Sequence, residues 1–192
     1  MDKLLLITGD LATGKTTLSR RLGTREGAVV FQKDTIKEIL GDHIVFHNRE
    51  ENKALSVATV ALMTHIFSQL GGRGVGMILE ANFSESELSA LHELASERGT
   101  QVLTLVLRAD LDLLYERYLH RITCENRHPV HLSAPLHVRE EFDRYILAAR
   151  VGTIPGETIE INANDFAYQT DEELLGRIDD FFQSDGTTED KR

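Results

Sequence analysis

Ten residues near the start of the chain, GDLATGKTTL at 9–18, follow directly on the apolar run KLLLIT at 3–8. The run is short enough for a buried strand, and the residues after Gly14 read as a helix. Glycine admits backbone conformations that let a loop wrap with its amides facing inward. The first turn of a helix adds unpaired N–H groups and the positive end of the helix dipole. A ring of inward amides beside a lysine suits strong negative charge. Gly9, Gly14, Lys15 and Thr16 match G-x-x-x-x-G-K-[ST], whose mechanics require strand, loop and helix in that order. The pattern assigns Gly9, Asp10, Leu11, Ala12, Thr13, Gly14, Lys15, Thr16 and Thr17 to the cradle of a nucleoside triphosphate. Lys15 reaches the β- and γ-phosphates and the Thr16 hydroxyl takes Mg²⁺.

The rest of the chain alternates in the same way. AVVFQ (28–32), VGMILEA (75–81), QVLTLVL (101–107) and TIEIN (158–162) read as further strands, the first four of the five buried on both faces. Between them lie helical stripes. Leu111, Leu114, Tyr115, Tyr118, Leu119 and Ile122 form one; Leu174, Leu175, Ile178, Phe181 and Phe182 form another; Ala58, Leu62, Ile66 and Leu70 form a third. Thr170 and Glu173 read as a capping box for the last helix, and Ser133 with Pro135 as the start of another. Such alternation predicts a parallel sheet covered by helices on both faces. Ligands then bind beyond the carboxyl ends of the strands, so the residues after each strand matter most.

After the second strand come Lys33 and Asp34. Asp34 reads as a base that takes a proton from an attacking hydroxyl, or as the cap of the following helix; the roles are compatible. Lys33 is a substrate contact or a solvated charge. The third strand ends in Glu80, an acid placed for the metal, and Asn82 follows as a substrate contact. Arg117 and Arg121 stand four apart on one helix, and Arg127 follows in the loop with His128, Pro129 and His131. Arginines closing over phosphates stabilise phosphoryl transfer, and the alternative is a solvated face paired with Glu116 or Glu125. His128 and His131 read as residues that shape the loop.

Composition narrows the partners. The chain has 192 residues and a formal net charge of −10, which weighs against gripping a nucleic-acid backbone. Its one cysteine, Cys124, permits no intrachain disulfide and fits a reducing, cytoplasmic setting. No apolar stretch approaches the ~20 residues that cross a membrane. His43/His47 and His128/His131 are pairs without a third clustered ligand, which argues against zinc. The organisation expected is one domain over 1–184, with a lid at about 117–133, and a polar tail over 185–192.

GDLATGKTTL, KDTIKEIL, MILEANF and RYLHRITCENRHPVH together resemble the P-loop kinases of the nucleoside-monophosphate-kinase type. Within them the chain looks most like the AAA_33 group of predicted kinases, relatives of the polynucleotide kinase, zeta-toxin and chloramphenicol phosphotransferase domains. The likeness runs from about residue 3 to 182. It implies a three-layer α/β/α fold with a five-stranded parallel sheet and a small helical lid. It also implies Mg-ATP as donor and a base at Asp34, with Asn162, Asn164 and their neighbours up to Asp165 near the adenine. Its acceptors range from sugars and antibiotics to nucleotides and nucleic-acid ends. The segment 41–52, with His43, His47 and Arg49, falls where such kinases hold their acceptor. No N-K-x-D guanine signature is present, since NAND at 162–165 is not one. The leading expectation is an ATP-dependent kinase acting on a small-molecule hydroxyl. A polynucleotide 5′-hydroxyl kinase and an ATP-binding regulatory protein are the alternatives.

Overall fold

A computed structural model describes residues 2–131, 136–150 and 152–184. The tail at 185–192 and the helix start at Ser133 and Pro135 lie outside the described residues. Five strands, β1 (Lys3–Gly9), β2 (Val29–Gln32), β3 (Met77–Glu80), β4 (Gln101–Arg108) and β5 (Glu157–Asn162), form one sheet in the order β2-β3-β1-β4-β5. All four pairings are parallel. Among the described residues seven helices complete the three layers: α1 (Lys15–Glu26), α2 (Lys33–His43), α3 (Arg49–Leu70), α4 (Glu85–Glu97), α5 (Leu111–Cys124), α6 (Arg139–Ala149) and α7 (Glu172–Gln183).

The alternation of side chains along β1 sends Leu5 and Ile7 into one core, with Leu18, Leu22, Leu114, Phe142 and Ile178. Leu4 and Leu6 enter the other, with Met63, Phe67, Leu88 and Leu91. A strand buried on both faces has no polar side, which is why β1, β3 and β4 read as continuous apolar runs. β2 departs from that expectation. It is one edge of the sheet, with β5 the other, and Val29 is 42% exposed.

Two helix expectations are corrected. α3 buries Asn52, Leu55, Thr59, Val60, Met63 and Phe67, whereas Ala58 is exposed and Leu62 is 41% exposed. The buried face carries two polar residues whose groups are satisfied, Asn52 by the Val130 carbonyl and Thr59 by the Leu55 carbonyl. The expected stripe holds only at its end, where Leu70 packs against the core and Ile66 is half-buried. The cap of α7 is Asp171, whose carboxylate accepts from the amides of Glu173 and Leu174. Thr170 instead closes a short 3-10 turn, Ala167–Thr170, with its hydroxyl directed back to the Ala167 carbonyl, so the helix starts one residue later.

Candidate active site at the strand ends

The loop between β1 and α1 is held open by its own backbone. Gly9 has φ +120° and Gly14 φ +84°, and Ala12 adopts a left-handed φ of +57°. A Cβ on Gly9 would run into the Leu107 backbone, and one on Gly14 would lie 2.6 Å from the Tyr168 hydroxyl. The fixed partners are on the outside of the loop. Asp10 N donates to Leu107 O at 2.8 Å, Thr13 Oγ1 donates to Asp10 O at 2.8 Å, and Tyr168 Oη donates to Thr13 O at 2.6 Å. Gly14 caps α1 with no side chain and no acid in the first turn, which leaves the dipole uncompensated there. Thr17 is exposed on that first turn, and Leu11 and Ala12 are half-buried in the loop.

The Asp10 side chain works as an anchor rather than as part of the cradle. Its buried carboxylate accepts from Arg150 Nε at 3.1 Å, Arg150 Nη2 at 2.7 Å and the Ala109 amide at 3.2 Å. Arg150 also donates to Ala109 O at 2.9 Å, so the end of α6 is tied to both β1 and β4. No sequence motif pointed to Arg150.

Lys15 is buried and donates to the carbonyls of Gly9, at 3.1 Å, and Asp10. Burial lowers its pKa; Glu80, Asp34 and Asp10 pull it back up, and Arg121 adds to the lowering. Glu80, 5% exposed at the end of β3, accepts from Thr16 Oγ1 at 3.1 Å. Burial raises its pKa while Lys15 opposes the rise. The register that pairs Ile7 with Glu80 brings the carboxylate beside the loop. Two hard oxygen donors meeting next to a phosphate cradle suit a Mg²⁺ ion.

Asp34 sits in the first turn of α2. It is not the cap, which is Gln32. The Gln32 amide instead donates to Thr16 O at 2.9 Å and Ser19 Oγ at 2.7 Å, locking α1 to the end of β2. Asp34 makes no hydrogen bond or ion pair among the described residues, yet its charge acts on Lys15, Glu80, Lys37, Arg127, His131 and Tyr145. These six groups come from α1, α2, β3, α6, the Pro129–His131 turn and the loop before it.

The three arginines divide. Arg121 acts electrostatically on Lys15 and Arg127, and it pairs with Glu125 at 3.4 Å. Arg127 is half-buried; burial lowers its pKa, as does Arg121, while Asp34 opposes. Arg117 faces elsewhere. Its Nη1 and Nη2 donate to Ala163 O and Asn164 O, both at 2.7 Å, and its guanidinium lies 4.4 Å from the Phe166 ring centroid. Asn164 is braced there too: its amide donates to Asn162 Oδ1 at 2.9 Å and its side chain exchanges hydrogen bonds with Asp110.

Asn82 lines a narrow cleft with Gly9, Leu11, Phe83 and Tyr145. Tyr145, absent from the sequence-based candidates, links this cleft to Asp34. Burial raises its phenol pKa, Asp34 adds to the rise and Arg49 opposes it. Lys33 is half-buried and Arg49 exposed, and neither has a hydrogen-bond partner among the described residues. His43 and His47 make local contacts, to Ile39 O at 2.9 Å and Glu51 Oε2 at 3.2 Å. Among the described residues no group of three His, Cys, Asp or Glu side chains is placed to hold a metal ion, and no helix is long and apolar enough to cross a membrane.

A parallel five-stranded sheet with a glycine-rich loop and helix after β1, covered by helices on both faces, is a P-loop fold of the kinase type. The chain belongs to the AAA_33 family of AAA domains, which matches residues 4–146. The fold is shared with a protein of Chloroflexus aurantiacus j-10-fl assigned as a kinase, at 24% identity and a TM-score of 0.78 over 92% of this chain and 95% of that one. It is also shared with a gluconokinase of Sinorhizobium meliloti 1021 (12% identity, TM-score 0.57, 94% and 91% of the two chains). Chaetomium thermophilum Kti12 in complex with ADP-AlF3 is similar as well (17%, 0.64, 94% and 100%). No curated protein matches the sequence.

Proposed function

We propose that this protein is an ATP-dependent phosphotransferase that moves the γ-phosphate of Mg-ATP to a hydroxyl of a small molecule. The observation that carries the reading is the convergence on Asp34: a carboxylate free of hydrogen-bond partners among the described residues, within the field of Lys15, Glu80 and Arg127. A carboxylate so placed accepts the proton of the acceptor hydroxyl as that oxygen bonds to the γ-phosphorus. The bond from phosphorus to the β,γ-bridging oxygen breaks and ADP leaves. Lys15, Arg121 and Arg127 supply fixed positive charge for the transferring group. Thr16 and Glu80 would hold the magnesium, which neutralises phosphate charge when bound.

The face formed by Arg117 and Phe166 is assigned to the purine, because a stacked cation and ring offer a planar surface beside the braced 162–164 loop. The acceptor is assigned to the cleft of Asn82 and Tyr145. Its lining sets polar groups, Thr8 and Asn82 among them, against apolar walls, and gluconokinase is among the proteins of the same fold. The net charge of −10 favours such an acceptor over a nucleic-acid end. The test is Asp34→Asn, which keeps the shape and removes the basicity. Nucleotide affinity is expected to stay within about threefold while transfer to the acceptor falls by about 10²–10⁴. Full transfer by the Asn variant would remove Asp34 from the role of base.

A further inference from the structure

The segment that follows Arg127 is fastened to α2 and α3 by an unusual arrangement. The Val130 carbonyl accepts two hydrogen bonds, from Lys37 Nζ at 3.1 Å and from Asn52 Nδ2 at 2.9 Å. All three residues are buried: Lys37 is 8% exposed, Asn52 2% and Val130 1%. Burying an ammonium is costly unless a specific partner holds it, and here the partner is one backbone oxygen in a short 3-10 turn, Pro129–His131. The Val130 side chain fills the notch left by Gly41, where a Cβ would overlap its Cγ1. His131 Nε2 lies 2.8 Å from Glu38 Oε1, and His128 Nε2 lies 3.0 Å from Asp42 Oδ1.

The anchors on α2 are Lys37, Glu38, Gly41 and Asp42, which follow Asp34 at i+3, i+4, i+7 and i+8. They share one helix face with the carboxylate. The lid segment and the base are thus set by one rigid helix, and Arg127 stands immediately before the fastened residues. We propose that Lys37 and Asn52 are positioning residues that hold the Val130 carbonyl and thereby set Arg127 against Asp34. The assignment of Arg127 and Asp34 to phosphoryl transfer is the proposed function above; the fastening itself is independent of it. Two donors from two helices on one carbonyl give the lid a single docked register, because loss of either leaves a buried polar group without its partner.

The experiment uses Asn52→Leu and Lys37→Met, which keep volume and remove the donors, and Gly41→Ala, which keeps both donors and crowds Val130. Hydrogen exchange reads residues 125–131. Calorimetry reads Mg-ADP alone and Mg-ADP with aluminium fluoride, a stand-in for the transferring phosphoryl group. All three variants are expected to speed exchange of 125–131 at least tenfold with protection of β1 and β4 unchanged. Asn52→Leu is expected to weaken the aluminium fluoride complex at least tenfold and ADP alone less than threefold. In an Arg127→Ala background the same substitution is expected to add less than twofold. Unchanged exchange in variants with an intact sheet overturns the fastening. An equal loss of aluminium fluoride affinity with and without Arg127 overturns action through Arg127. Wild-type protein that binds ADP but gains nothing from aluminium fluoride refutes the transfer reading instead, and the exchange result still decides the fastening.

Discussion

Arg150→Ala tests how the phosphate loop is held. Asp10 is 5% exposed, and its carboxylate takes three hydrogen bonds, two of them from Arg150. Removing the guanidinium leaves a buried anion with the Ala109 amide alone. Breaking one half of a buried pair costs about 3–5 kcal/mol. The Arg150 side chain is 26% exposed, so water can reach the vacated position, and the low end, about 3 kcal/mol, applies. For a chain of this size about 1 kcal/mol shifts Tm by roughly 2–4 °C, which gives a fall of about 6–12 °C. Far-UV circular dichroism on heating measures it. Asp10→Asn in the same background removes the stranded charge and is expected to recover at least half of the loss. The reasoning is refuted by a fall under about 2 °C, or by a double variant no better than Arg150→Ala alone.

Three further outcomes are expected. Glu26 has its pKa pushed up to about 7 by burial, then by a hydrogen bond to Asp179 and that residue's charge, with Arg25 opposing. Its protonated form is the one the fold favours, so this contribution is complete below the ordinary carboxyl value and is lost as pH rises through about 7. Glu26→Gln should therefore have a higher Tm than wild type at pH 8, with the difference gone at about pH 4; a constant difference across that range counts against the shift. On α3, Met63→Ala should cost about 2–5 kcal/mol in urea unfolding, whereas Leu62→Glu should stay within about 0.5 kcal/mol, and the reverse order would return the buried face to Leu62. Tyr145→Leu should raise the KM of the acceptor at least tenfold with the KM of ATP within twofold; equal effects on both would take Tyr145 out of the acceptor cleft.

Sequence reading recovered what is local. A strand buried on both faces has one signature, and the glycines of the phosphate loop answer to a backbone need at Gly9 and Gly14 that no other residue meets as readily. It failed where a decision depended on the third dimension. The α3 face was misplaced because Asn52 and Thr59 are polar and buried, and β2 was misjudged because an apolar run does not reveal that its strand lies at the edge. The α7 cap moved by one residue because Thr170 is committed to a preceding turn. At the candidate site, Lys15, Thr16, Asp34 and Glu80 lie at or beyond strand ends, and as candidates they were readable from that rule. Arg150, Tyr145, Lys37 and Asn52 were not, since each acts on a residue more than 75 positions away, as in Asn52 and Val130, separated by 78. Arg117 shares a helix with Arg121, but its guanidinium is taken up by the Phe166 ring and the carbonyls of Ala163 and Asn164, partners that helix spacing does not reveal.

The most direct measurement is ATP consumption with Mg²⁺ in the presence of pooled small-molecule hydroxyl compounds, wild type beside Lys15→Ala. Turnover that depends on one pool and disappears in the variant is the expected result. Tight ATP binding with no turnover that depends on any pool would contradict the kinase reading and point to a nucleotide-binding regulatory protein.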